Sequence, residues 1–159
     1  MKLNVFAIIA VAVVVPNMAR GVSVTGNASV VIQSAISASQ TQQMNFGTVT
    51  PAASAGVVTL TPAGVASSST LGTYGSAAAG HFAITAQPST ALNVTFTNGS
   101  VTSGANSMTV DTFTSTSTPA SNTTDASGNL ALNVGANLNV GANQATGTYN
   151  GTYTVTVNY

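Results

Sequence analysis

The chain of 159 residues is long enough for one domain of ordinary size. Charged residues make up 3% of it, with two basic and two acidic side chains and a net charge of zero. So few basic residues exclude binding to nucleic-acid phosphates or to anionic membranes through a basic patch. The lack of cysteine excludes disulfides and thiolate metal sites. The hydrophobic content of 44% argues against a disordered chain.

The N-terminal segment has the pattern of an export signal. A single lysine precedes residues 5–15, an unbroken apolar run about half as long as the ~20 residues of a membrane-spanning helix. Ala19 and Gly21 place small residues at the two positions that define a cleavage site. We therefore predict a signal peptide over residues 1–21 and a single mature domain over residues 22–159, with no membrane insertion after cleavage.

Along the mature chain, apolar residues alternate with polar ones, and no segment has convincing helical spacing. A period of two is typical of strands with one buried face. The alternation predicts roughly eight short strands and an all-β fold of the β-sandwich type. The side chains expected to be buried between its sheets are Phe46, Phe82, Ile84, Val94, Phe96, Leu132, Val155 and Val157.

Turn residues divide these strands. Asn98-Gly99 and residues 125–128 predict hairpin or loop connections. Asn150-Gly151 predicts either a type I′ turn or a bulge within a strand. The small, polar composition of residues 63–79 and 115–124 predicts long, weakly ordered connections or edge strands.

One short repeat is present. Residues 132–137 read Leu-Asn-Val-Gly-Ala-Asn, and residues 138–143 repeat that sequence. Two copies are too few for a β-helix, which needs at least about three. We predict a strand, a turn around residues 135–137, and a second strand.

The residues that most often carry chemistry are sparse. His81 is the only histidine, and its place at the start of a strand predicts a solvated side chain rather than a member of a catalytic triad. Asp111 and Asp125 are expected at an outward strand position and in a turn. Two carboxylates are too few for a calcium site. We therefore predict no enzymatic activity, no cofactor and no metal.

Two motifs resemble those of one bacterial family. Residues 44–49, Met-Asn-Phe-Gly-Thr-Val, are similar to its N-terminal Leu-x-Phe-Gly-x-Ile/Val pattern. Residues 140–144 and 147–159, which contain Gly-Thr-Tyr twice, resemble its C-terminal motif. Over nearly the whole mature length the chain thus resembles the domain of unknown function 4402 family of exported bacterial proteins. That family is similar in layout to the spore coat protein U-like pilins of archaic chaperone–usher fimbriae.

The resemblance implies an immunoglobulin-like antiparallel β-sandwich that lacks its last strand, which the N-terminal arm of a neighbouring subunit supplies. The candidate assembly strand, with no further strand expected after it, contains Tyr153, Val155, Val157 and Tyr159. The candidate donor arm contains Val22, Val24, Val30 and Ile32. The alternative is a complete sandwich in which residues 22–32 form the first strand of their own domain.

These observations favour an exported structural protein, secreted or held at a bacterial cell surface after passage through the periplasm. The first hypothesis is a fimbrial or pilus-like subunit that assembles with identical subunits by donor-strand complementation, aided by a periplasmic chaperone and usher. The second is a self-contained secreted β-sandwich that acts as a monomeric adhesin or coat protein. The third is a secreted hydrolase or binding protein whose site the sequence pattern does not reveal.

Overall fold

The computed structural model describes residues 21–159. The described residues up to Val31 belong to one unit, contain neither helix nor strand, and have exposed side chains. A second unit, Ile32–Tyr159, is all-β and antiparallel, which confirms the predicted fold class. Its strands are β1 (Ser37–Gln42), β2 (Thr48–Thr50), β3 (Gly56–Leu60), β4 (Ala66–Ser67), β5 (Gly72–Tyr74), β6 (Gly80–Thr85), β7 (Asn93–Ser103), β8 (Asn106–Thr118), β9 (Asn129–Val140) and β10 (Asn150–Asn158). Within residues 21–159, no helix has the length and apolar character needed to cross a bilayer.

Strand β9 is the centre of the main sheet, whose order is β1-β6-β9-β8-β7-β10. One edge of β9 pairs with β8, and the other edge pairs first with β6 and then with β3, which also holds β4. Every even-numbered residue from 130 to 140 is buried, while asparagines occupy four of the odd positions from 129 to 139. This alternation gives β9 one core face and one polar face, as expected for a strand of a half-buried sheet. Strands β2 and β5 form a separate pair.

The predicted turn in the six-residue repeat is wrong, because both copies lie in the single strand β9 up to Val140. Gly135 marks the point where β9 exchanges one neighbour for another. Val134 pairs with β6, whereas Ala136 pairs with Leu60 of β3. A Cβ atom at Gly135 would collide with the backbone carbonyl of Leu60. Glycine therefore allows the end of β3 to pass close to β9, and no change of chain direction occurs there.

Two of the predicted turns have different outcomes. The Asn98-Gly99 turn is wrong, because both residues lie within β7. They face the single residue Tyr153 of β10, so they form a bulge in which β7 has one extra residue. The turn at residues 125–128 is confirmed, since the Asp125 carboxylate accepts hydrogen bonds of 2.8 Å from the backbone N–H groups of Ser127 and Asn129.

Other connections also differ in detail from the expectation. The β7–β8 hairpin turns at Gly104-Ala105, and the positive φ of Gly104 suits a two-residue turn that begins with glycine. Asn150-Gly151 begins β10 and pairs in register with Thr102 and Val101, so neither the predicted turn nor the predicted bulge occurs there. The segment 63–79 contains the short strands β4 and β5, and residues 115–118 continue β8.

Two hydrophobic clusters form the core. One is built around Val58, Leu138 and Val140, and the other around Leu130 and Val134. The predicted burial of Ile84 and Leu132 is confirmed. For the other six predicted core residues full burial is wrong, because each is only partly buried: Phe46, Phe82, Val94, Phe96, Val155 and Val157.

Replacing Leu132 by Ala should lower the free energy of unfolding by about 2–5 kcal/mol, because Leu132 is fully buried and the change leaves a cavity. The control is Val57→Ala on β3, where the valine is 40% exposed and the loss should be within about 1 kcal/mol. Urea denaturation followed by circular dichroism measures both. Equal losses for the two variants would contradict the assigned core face.

The turn at Asp125 predicts a pH dependence of stability. The backbone N–H of Asn129 lowers the pKa of Asp125 below its ordinary value of 3.8, with a smaller contribution from Ser127 and a partial opposition from desolvation. A carboxyl whose pKa is lower in the folded state stabilises the fold at any pH above its unfolded-state pKa. This contribution is lost as the pH falls through the folded-state pKa.

The matched variant for this prediction is Asp125→Asn, which keeps an acceptor oxygen but does not titrate. The stability difference between the native protein and the variant should shrink as pH is lowered from about 6 to about 2. Denaturation curves across that range measure it. A difference that stays constant with pH would show that the Asp125 charge does not contribute.

Candidate assembly groove

The main sheet begins and ends on strands that each have one unpaired edge. Among the described residues, β1 pairs with β6 alone and β10 pairs with β7 alone. All neighbours in the six-strand order are antiparallel, so β1 and β10 run in opposite directions. Both therefore present a row of backbone N–H and C=O groups that can pair with another strand.

A hydrogen-bonded clasp closes one end of the space between these strands. The Tyr159 hydroxyl accepts a 3.0 Å hydrogen bond from the backbone N–H of Gln87 and donates one to the carbonyl oxygen of Ser34. The Gln87 side-chain oxygen in turn accepts from the backbone N–H and the hydroxyl of Ser34, each at 3.2 Å. This Ser34–Gln87–Tyr159 clasp fixes the point where the chain enters β1 beside the C-terminal end of β10.

A row of aromatic rings crosses the middle of the same space. Tyr153 of β10 contacts Phe82 of β6 edge-on, with ring centroids 6.2 Å apart, and lies 5.1 Å from the ring of Phe113. Phe113 stacks on Phe96 at 5.4 Å. This aromatic row, Phe82–Tyr153–Phe113–Phe96, joins the β10 side of the sheet to the β6 side through side chains instead of backbone hydrogen bonds.

Gly80 gives the Tyr153 ring its room. A Cβ atom at Gly80 would collide with the Tyr153 hydroxyl, so a larger residue there would displace the ring. That hydroxyl oxygen is buried and has no hydrogen-bond partner among the described residues. Burial raises the pKa of Tyr153, because the charged phenolate would lose its hydration.

On the core face between β1 and β10, the apolar side chains are incompletely covered. Its lining residues, which we call the groove, are half-buried: Ile36, Phe82, Val94, Phe96, Tyr153, Val155 and Val157. Ala38 of β1 pairs directly with the buried Ile84 and so points to the same face, yet Ala38 is exposed. Core-face side chains therefore remain partly open to solvent here, which explains the partial burial of five predicted core residues: Phe82, Val94, Phe96, Val155 and Val157.

The structure brings the candidate assembly strand into the groove. Tyr153, Val155 and Val157 line it, and Tyr159 forms the clasp. The candidate arm residues Val22, Val24, Val30 and Ile32 are between 81% and 88% exposed and lie in no strand. The first strand of the domain begins at Ser37, so the alternative in which residues 22–32 form that strand does not describe this structure.

Sequence reasoning missed Phe113 and the clasp. Val110 faces the core from an even position, but a bulge between Asp111 and Thr114 turns the odd-numbered Phe113 to the same face. Thr112 has the positive φ of 47° that this bulge requires, a rare conformation for a β-branched residue. Nothing in the apolar spacing marks such a change of parity. The clasp joins residues up to 125 positions apart, so local patterns carry no sign of it.

The residues considered for chemistry lie on different elements. His81 is in β6, where it pairs with Asn133. Asp111 is in β8, where a carboxylate oxygen accepts a 2.9 Å hydrogen bond from the Asn139 amide. Asp125 stabilises its own turn. Both carboxylates thus have structural contacts with neighbouring residues.

Two tyrosine substitutions should have opposite effects on stability. Tyr153→Phe removes a buried hydroxyl with no partner, so the free energy of unfolding should stay equal or rise by up to about 1 kcal/mol. Tyr159→Phe removes the hydroxyl that joins Gln87 to Ser34, so the free energy of unfolding should fall by about 0.5–1.5 kcal/mol. Urea denaturation at neutral pH compares them. A larger loss for Tyr153→Phe than for Tyr159→Phe would refute the assigned hydrogen bonding.

The chain was compared with known proteins at the level of families, curated sequences and solved structures. The profile of one family, described as a domain of unknown function (DUF4402), matches residues 36–159, which contain all ten strands. No curated protein and no solved structure gives a significant match. The family match covers most of the chain and leaves residues 21–35 outside it. The chain therefore belongs to the DUF4402 family.

Proposed function

We propose that this protein is an exported structural subunit of the bacterial cell surface that assembles by donor-strand complementation. In this proposal, residues 22–32 of one subunit occupy the groove of the next and pair with β10. The observation that carries it is the half-covered core face between two unpaired strand edges, in a protein that also carries an exposed segment of alternating apolar residues.

The energetics favour such an association. A strand in the groove would remove apolar side chains of both partners from water, at roughly 25 cal/mol for each Å². It would also satisfy the open backbone groups of β10 and β1. Edge strands are often protected by lysine, but the only basic residues of this chain are Lys2 and Arg20, so none lies on any described strand.

Export and partners are further parts of the proposal. Residues 1–21 are proposed to direct export and to be removed, which would leave residues 22–32 at the start of the mature chain; residues 1–20 lie outside the described part. An open groove would associate with any suitable apolar strand before assembly. A periplasmic chaperone that covers it, and an usher that releases it, are therefore the proposed partners besides identical subunits.

One observation supports the second candidate, a monomeric sandwich that acts as an adhesin or coat protein. The Ser34–Gln87–Tyr159 clasp and the Tyr153–Phe82 contact already connect the two sides of the groove without a further strand. If these contacts suffice, the subunit is complete by itself.

Deletion of residues 22–32 distinguishes the two candidates. The deletion leaves the unit Ile32–Tyr159 nearly whole, so the truncated protein should fold, fail to form filaments, and bind a synthetic peptide of residues 22–33. The matched control is the same peptide with serine at positions 22, 24, 30 and 32, which keeps the length but removes the apolar face. Electron microscopy and isothermal titration calorimetry provide the measurements.

The possible results separate clearly. Binding of the native peptide but not of the serine peptide would support donor-strand complementation. A folded, monomeric truncated protein that binds neither peptide would contradict it and favour the monomeric candidate. Unfolding that the peptide cannot reverse would place residues 22–32 within their own domain.

A further inference from the structure

A cavity that shares no residue with the groove lies at the motif Phe46-Gly47. Phe46 packs against the hydrophobic cluster around Val58 and also lines this cavity, whose volume is about 430 Å³. Gly47 has a φ of 76°, and a Cβ atom there would lie 2.9 Å from the carbonyl oxygen of Tyr74. Glycine therefore lets the chain after Phe46 pass close to the end of β5.

Three segments surround this cavity, which we call the Tyr74 cavity. They are the motif at Phe46, residues 64–66 at the entry to β4, and residues 73–77 at the end of β5 and just after it. Val65 and Tyr74 are each 60% exposed, more than any other large apolar side chain of residues 33–159. The most exposed apolar side chains of this part of the chain thus lie beside one cavity and are not scattered over the surface.

The Tyr74 ring is held in place although it is exposed. Its hydroxyl accepts a 3.1 Å hydrogen bond from the Thr50 hydroxyl, and its backbone pairs with Thr48 of β2. A tyrosine side chain has only about two rotatable bonds, so a ring with a fixed hydroxyl has little freedom left to lose on binding. A rigid aromatic surface is therefore available before a ligand arrives.

The rest of the lining supplies hydrogen-bonding groups without charge. Thr73 and Ser76 belong to it, so hydroxyl and peptide groups lie beside the apolar side chains. Among the described residues, the backbone N–H groups of Ser76 and Ala77 make no backbone hydrogen bond. The carboxylates of residues 111 and 125, the only charged side chains in residues 21–159, are not part of the lining. A charged ligand would therefore lose hydration here without gaining a partner of opposite charge.

These features together fit one class of ligand. A pyranose ring has an apolar C–H face that can lie on an aromatic ring, and hydroxyls around its edge that bond to uncharged polar groups. A purely aliphatic ligand would leave the polar groups of the lining without partners. A volume of about 430 Å³ is typical of small-ligand sites, so the cavity suits one or two sugar rings and not a folded partner.

We propose that the Tyr74 cavity binds one or two rings of a neutral saccharide, with the Tyr74 ring against the C–H face of one of them. Phe46 and Val65 then cover further apolar edges of the sugar, and Ser76 and the neighbouring peptide groups bond to its hydroxyls. This inference goes beyond the proposed assembly and does not depend on it, because the cavity and the groove have no residue in common. Together with the proposed export, it would let the protein attach to carbohydrate outside the cell.

Binding is tested with defined trisaccharides on the complete exported chain. The neutral probes are cellotriose, maltotriose, mannotriose and triacetylchitotriose, each titrated to about 20 mM, and trigalacturonate is the charged comparison. At least one neutral probe should bind saturably in isothermal titration calorimetry. Saturation-transfer-difference NMR should then show the strongest transfer to C–H protons on one face of a sugar ring.

Substitutions locate the site. Tyr74→Ala should weaken binding about ten-fold or more, because it removes the aromatic surface, whereas Tyr74→Phe keeps the ring and should stay within about three-fold of the native chain. Val65→Ala should weaken binding about two- to five-fold. Its matched control is Val57→Ala, which removes the same atoms from an exposed valine outside the cavity and should leave binding unchanged. Urea denaturation checks that every variant is folded.

The results distinguish this inference from the proposed assembly. Saturable binding of a neutral trisaccharide that Tyr74→Ala removes and Tyr74→Phe retains would support the inference. No binding of any neutral probe, stronger binding of trigalacturonate, or equal binding by the native and Tyr74→Ala chains would overturn it. Electron microscopy of the same samples follows assembly, and Tyr74→Ala should form the same filaments as the native chain. A native chain that binds a trisaccharide but stays monomeric would overturn the assembly proposal alone.

Discussion

The main constraint on this fold is that, within residues 21–159, the sheet ends on two strands whose outer edges are unpaired, with half-covered apolar side chains on the core face between them. Strand β9 has neighbours on both edges and contributes the deepest core residues. Burial falls towards β1, whose residues are all exposed, and towards β10, where Tyr153, Val155 and Val157 are half covered. The open backbone groups and the open apolar face occur at the same place, so a single added strand would satisfy both.

The charge distribution strengthens this constraint. Soluble proteins usually protect an open edge with charged side chains or a local distortion. In residues 21–159 the only charged side chains are Asp111 and Asp125, and both lie away from β1 and β10. The bulge at Asn98 and Gly99 distorts the inner side of β10, where it pairs with β7, and leaves the outer side free. Charge repulsion would therefore do little to oppose association through this edge.

The sequence predicted the parts of the structure that depend on a regular period of two. Alternation correctly predicted Leu132 in the core, although it was read as two strands and not as the single strand β9, and the all-β fold class followed from similar runs. The period cannot show where a bulge changes parity, as at Phe113, because an extra residue in one strand leaves no local mark. Nor can it show that Gly135 is a change of neighbour instead of a turn, since only the approach of β3 decides this.

The groove, too, is only partly predictable from apolar alternation. The two apolar segments could be found from the sequence, but the open face between β1 and β10 depends on strand order, which alternation does not encode. Val155 and Phe96 are half-buried whereas Ile84 is fully buried, although all three belong to runs with the same alternation of apolar and polar residues. A shortage of neighbours on one side of a sheet is a property of the topology.

Tyr153 reconciles a stable subunit with an open groove. An empty apolar channel between two unpaired edges would either collapse or bind other chains without selectivity. The Tyr153 ring fills the middle of the channel and contacts both β6 and β8 residues, so part of the apolar surface is covered before any arm arrives. The edges of β10 and β1 keep their hydrogen-bonding groups free, because this contact is made by side chains alone.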